Sequence, residues 1–170
     1  MPFQCITMLK LKGCIKNINR SMPQNRKKSL SGNQPRRKPL GKAELLPYTA
    51  AHVREQLLCW HLSLAAFKAG KGNGDLLAKL VKALYLTWYL QDAGFGAVKR
   101  EVYLEAEGIL DAAAHSASRD VWIIENADCR PIIEILDLHE QQLLCAPVFA
   151  VHEAESRVVR FARSERRAPW

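Results

Sequence analysis

The first 43 residues of this chain contain no aspartate or glutamate, yet they hold eleven lysines and arginines. Residues 44–170 carry fourteen basic and seventeen acidic side chains, so the net charge of +8 divides into +11 on an N-terminal segment and −3 on the remainder. A stretch of one sign repels itself and attracts polyanions, whereas a stretch of mixed sign can collapse around a core. The chain is therefore read in two parts, a basic tail over 1–43 and a folded domain over 44–170.

Other absences narrow the function. The longest uncharged apolar stretches, such as Ala83 to Gln91, fall far short of the roughly 18–20 residues that a membrane span needs, so no membrane partner is expected. The five cysteines, Cys5, Cys14, Cys59, Cys129 and Cys145, are odd in number and never form a CxxC pair. That argues against a disulfide framework or a zinc ribbon and favours a reducing cytoplasm. No Glu-x-x-His pair occurs, as a carboxylate-bridged metal site in a helical bundle would require. There is no G-x-S-x-G elbow for a nucleophilic serine, and Gly70-Lys71-Gly72-Asn73-Gly74 lacks the Lys-Ser/Thr pair of a phosphate loop. It reads as a turn between helices. Neither a metal, a cofactor nor a catalytic group is expected, and the chain reads as non-enzymatic.

Met1 to Leu11 has an apolar flavour without a basic leader before it or a small-residue cleavage site after it, so it is not read as a secretory signal. It is rich in lysine and free of acid like an organellar transit segment, but is poor in arginine and lacks a clear amphipathic helix. Composition changes at Met22-Pro23, which offers an alternative translation start that would leave residues 1–21 untranslated. From Met22 to Lys42 the residues are mostly Arg, Lys, Pro, Ser, Asn, Gln and Gly. Such a segment cannot bury enough apolar surface to offset a backbone entropy of about 1–2 kcal/mol per residue, and disorder is expected. Its two clusters, Arg26-Lys27-Lys28 and Arg36-Arg37-Lys38, are candidate contacts to nucleic-acid phosphates.

The domain reads as all-α, a bundle of four to five helices. Thr49 is a helix cap, and Val53, Leu57, Trp60, Leu64 and Phe67 follow at alternating steps of four and three, with Leu58, Leu62 and Ala65 widening the stripe. Gly70 and Gly72 end that helix, and Asn73 and Gly74 open a second over Leu76 to Asp92. This helix is apolar almost all round, leaving Lys79, Lys82, Thr87 and Gln91 to face solvent, and so belongs in the middle of a bundle or at an oligomer interface. After Ala93-Gly94-Phe95-Gly96 a third helix runs to about Ser116 on Val98, Val102, Ala106, Ile109 and Ala113, with Tyr103 and Leu110 beside them. Val121-Trp122-Ile123-Ile124 reads as a buried extended connector. A fourth helix, capped by Asn126 or Asp128, turns Ile132, Ile135, Leu136, His139 and Leu143 inward. Pro147 breaks it, and Val148, Val151, Ala154, Val158 and Phe161 form a fifth.

Cys59 and Cys145 read as small buried hydrophobes, and His61 and His139 as core histidines rather than ligands. The glycine turn before Ala97-Val98-Lys99-Arg100 resembles the entry to a DNA-recognition helix, but the preceding helix is too apolar for that fold, and a plain helical hairpin is favoured. Arg157, Arg160 and Arg163, with Arg166 and Arg167, follow mostly at steps of three. They read first as cations favourably placed at a helix end beside Glu153, Glu155 and Glu165, and second as an extension of the nucleic-acid footprint.

Leu84-Tyr85-Leu86-Thr87-Trp88-Tyr89-Leu90-Gln91-Asp92-Ala93-Gly94-Phe95-Gly96, Leu138-His139-Glu140-Gln141-Gln142-Leu143 and Glu153-Ala154-Glu155-Ser156-Arg157 together resemble short bacterial proteins labelled Fis-family transcriptional regulators. The likeness covers residues 45 to 165 or so and rests on apolar helical motifs. It implies a small bacterial helical protein associated with DNA, although no C-terminal helix-turn-helix like that of Fis is legible. The leading expectation is a regulatory or nucleoid-associated DNA-binding protein. The alternative is an interaction module or homodimer formed through the apolar second helix and Trp60, Trp88 and Trp122.

Overall fold

The structure, a computed structural model, describes residues 39–117, 121–164 and 168–170. The described residues hold five α-helices and no strand: α1 (Ala50–Lys68), α2 (Gly74–Asp92), α3 (Arg100–Ser116), α4 (Cys129–Cys145) and α5 (Val148–Arg163). Short 3-10 turns over Lys42–Leu45 and Asn126–Asp128 precede α1 and α4. The all-α bundle expected from periodicity is the fold observed.

Thr49 opens α1, its side chain accepting a hydrogen bond from the His52 amide at 3.3 Å. Val53, Leu57, Trp60, Leu64 and Phe67 are all buried. The widening of that stripe does not occur, because Leu58, Leu62 and Ala65 are exposed. Leu58 and Leu62 stand two residues either side of Trp60, about 200° around the helix, and so face away from the core. Ser63 takes the inner position instead, its hydroxyl donating to the Cys59 carbonyl at 2.7 Å. Cys59, Cys145 and His61 are likewise exposed, contrary to their reading as core residues, whereas Cys129 is buried.

Asn73 caps α2 by accepting from the Leu76 amide at 2.9 Å. The helix packs against each of the other four, which explains why apolar side chains surround it almost completely. Two residues expected at its surface turn inward. Thr87 is fully buried and donates to the Ala83 carbonyl at 2.8 Å. Gln91 is half-buried and clamps the next turn, donating to the Val98 carbonyl at 3.1 Å and accepting from the Val98 amide at 2.9 Å and the Tyr103 hydroxyl at 3.0 Å. With Gly94 and Gly96 at φ +94° and +66°, the α2–α3 junction is a clamped helical hairpin.

Tyr103, Ala106, Leu110 and Ala113 form the buried line of α3, while Val102 and Ile109 lie at its edge. Of the apolar connector only Ile124 is buried, its amide donating to the Phe67 carbonyl at 3.3 Å. Val121 and Ile123 are exposed, because extended backbone sends alternate side chains to opposite faces. Trp122 packs edge-on to Phe67. The α4 stripe of Ile132, Ile135, Leu136, His139 and Leu143 is buried as its spacing predicts. The chain before α1 meets the α4–α5 junction through a Pro47–Pro147 bridge and a bond from the Val148 amide to the Leu46 carbonyl at 3.0 Å.

Candidate nucleic-acid interface

Lysine and arginine are most available to phosphates where no carboxylate already engages them. On α5 the arginines at steps of three are drawn to different neighbours. Arg157 pairs with Asp92 at the end of α2 at 2.6 Å, and its guanidinium lies 4.3 Å over the Tyr89 ring. Arg160 pairs with Glu153 on its own helix at 2.9 Å. Glu155 is engaged by Lys82 of α2 at 2.9 Å. Arg163 is exposed and makes no ion pair among the described residues. The three arginines are thus not a continuous free row. Two of the three tie α5 to its neighbours or to itself, with Arg157 the most constrained by its double contact.

Arg26, Lys27, Lys28, Arg36, Arg37 and Lys38, the residues expected to contribute most affinity, lie outside the described residues, as do Glu165, Arg166 and Arg167. On the described body, Lys99 and Arg100 are exposed at the start of α3, while Tyr103 is buried. Burial pushes the Tyr103 phenol well above its ordinary range, so it serves as a neutral donor to Gln91. A recognition helix would present this segment to a groove, whereas here its aromatic residue is core.

The histidines divide between core and surface. His139 is fully buried, edge-on to Trp60 at 4.7 Å, with Nδ1 3.4 Å from the Gln142 Oε1. Burial is the main reason its pKa falls to about 4; the Gln142 bond opposes the shift and nearby Lys82 adds to it. His152 is exposed and meets the Tyr48 hydroxyl at 3.3 Å. No group of three or more His, Cys, Asp or Glu side chains among the described residues is placed to hold a metal. Cys129 donates to the Glu125 carbonyl at 3.3 Å, and burial raises its thiol pKa.

Two features escaped the sequence reading. Gln142 is buried and donates to both the Thr87 carbonyl at 3.0 Å and the Phe95 carbonyl at 2.9 Å, tying α4 to α2 and to the α2–α3 turn. Its position beside Leu143 on the inner stripe was the available signal. Trp170 packs against Tyr85, Trp88 and Tyr103, with ring centroids 5.5–5.7 Å away. No local pattern announces that contact. It places Trp88 inside an intramolecular aromatic cluster, while Trp60 is buried against His139. Comparison of the chain with protein-family profiles, curated proteins and solved structures returns no match.

Proposed function

We propose that this chain is a non-enzymatic nucleic-acid-binding protein, regulatory or nucleoid-associated, whose basic N-terminal segment makes sequence-independent phosphate contacts while the helical body anchors it. The carrying observation is the division of charge into +11 over residues 1–43 and −3 over the rest. The ion pairing of Arg157 and Arg160 concentrates the reading on the N-terminal clusters. The resemblance to Fis-family regulators points the same way, with the difference that binding rests on the tail rather than on a helix-turn-helix.

The test is fluorescence anisotropy with a 30-base-pair duplex across a salt series, comparing the full chain with a chain begun at Ala43. Binding that weakens steeply with salt and disappears without the tail supports the proposal. No binding by the full chain at low salt rejects it.

One observation favours a second reading, a homodimer or protein-interaction module. Leu58 and Leu62 are exposed on the outer face of α1 at 58% and 59%. If that face is solvated, replacing both leucines with glutamine changes stability by no more than about 0.5 kcal/mol and leaves the sedimentation coefficient unchanged. A dimer that the double substitution converts to monomer establishes the interaction reading.

A further inference from the structure

Between α3 and the start of α4 lies an open groove of about 720 Å³. Ile109, Ala113, Ile124 and Pro131 form its apolar lining, and Glu105, Glu125 and Asp128 stand around it with Arg130 at one edge. All three acidic residues are exposed. Their side chains make no ion pair or hydrogen bond among the described residues, whereas Asp92, Glu153 and Glu155 elsewhere are each paired. The groove therefore offers an apolar floor inside a rim of net negative charge, its three carboxylates outnumbering Arg130 and unpaired among the described residues, suited to a basic peptide with one apolar anchor.

The chain itself contains such a peptide. Arg26-Lys27-Lys28-Ser29-Leu30 joins three cations to a leucine, the only large aliphatic side chain between Met22 and Leu40. We propose that residues 26–30 dock intramolecularly in this groove, Leu30 on the apolar floor and the cations at Glu105, Glu125 and Asp128. The docked segment is thereby withheld from a polyanion.

Reach selects between the two basic clusters. The chain enters the described body beside the C-terminal end of α4, where the Leu46 carbonyl meets the Val148 amide, and the groove lies at the opposite end of that helix. Seventeen residues of α-helix extend about 25 Å. Leu30 stands sixteen positions before Leu46 and Arg36–Lys38 eight to ten, which sets maximal spans of about 55 Å and about 35 Å. The farther cluster therefore reaches the groove with slack, whereas the nearer one does so only near full extension. A short tether gives an effective concentration in the millimolar range, so an intrinsic affinity of about 0.1 mM suffices to keep the segment docked roughly nine-tenths of the time.

The docking is tested without nucleic acid, so its failure is distinct from failure of the phosphate-binding reading. The full chain is digested briefly with trypsin at low salt, and mass spectrometry reads cleavage at each basic residue. Cleavage after Arg26, Lys27 and Lys28 is expected to accelerate about tenfold, and cleavage after Arg36 to stay constant, in each of three cases. These are the groove variant Glu105→Gln/Glu125→Gln/Asp128→Asn, the tail variant Leu30→Ser, and the wild-type chain at 1 M salt. The tail variant keeps the test valid should the groove variant lose its fold. Equal rates in the wild-type chain and in Leu30→Ser overturn the proposal. Protection that fades on dilution also overturns it, because the groove then takes the tail of a second copy.

Discussion

His139 and Gln142 are two of the four polar side chains buried among the described helices, and each carries a measurable consequence. The native pKa of His139, about 4, lies below its ordinary value of 6.5. The unfolded chain therefore binds the extra proton first as pH falls, and stability is lost between about pH 6.5 and 4 rather than gained. Full titration across that window amounts to on the order of 3 kcal/mol. Urea denaturation at pH 7 and pH 4 is expected to show this loss in the wild-type chain and a loss smaller by that amount in His139→Leu; an identical acid sensitivity in both contradicts the assignment. Gln142→Leu removes the donor to two carbonyls, those of Thr87 and Phe95. A cost of about 2–3 kcal/mol is expected in the denaturation midpoint, because the acceptors stay buried while their partner is gone.

Among the helices, α2 was the most legible from sequence, since a helix apolar on nearly every side belongs in the middle of a bundle or at an oligomer interface, and its packing against the other four helices makes it the former. The stripes of α1 and α4 were also readable residue by residue, because their steps of three and four define a direction without tertiary information. Leu58 and Leu62 were misplaced by residue type alone: an apolar side chain exposed on an outer face is indistinguishable from a core one until the helix phase is enforced. Thr87 and Gln91 escaped for the opposite reason, being polar residues whose hydrogen bonds permit burial. The pairing of Arg157 with Asp92 depends on how α5 crosses α2, and the contact of Trp170 with Tyr103 on a long-range return of the chain. Neither is written in local periodicity. The α2–α3 turn provides a direct check on its geometry. A Cβ at Gly94 meets nothing within 4 Å, whereas one at Gly96 falls 2.7 Å from Leu138 Cδ1, and both residues have positive φ. Gly94→Ala should therefore cost about 1 kcal/mol of backbone strain and Gly96→Ala about 2–3 kcal/mol, adding displacement of Leu138. Thermal unfolding of the two variants separates the contributions, and equal shifts contradict the packing around Gly96.

The molecule as a whole separates its tasks by charge. The body holds its acidic and basic residues near balance and places several in ion pairs between or within helices, while the proposed polyanion contacts lie in the segment without acid. Six cations meeting six phosphates give a slope of about −5 in the logarithm of affinity against the logarithm of salt concentration. The most direct measurement is that slope for the full chain and for a variant with Arg26, Lys27, Lys28, Arg36, Arg37 and Lys38 all replaced by glutamine. A slope shallower by about five in the variant, with weaker binding at every salt concentration, is the predicted result. Identical slopes and affinities would contradict the account, because the tail would then make no phosphate contacts.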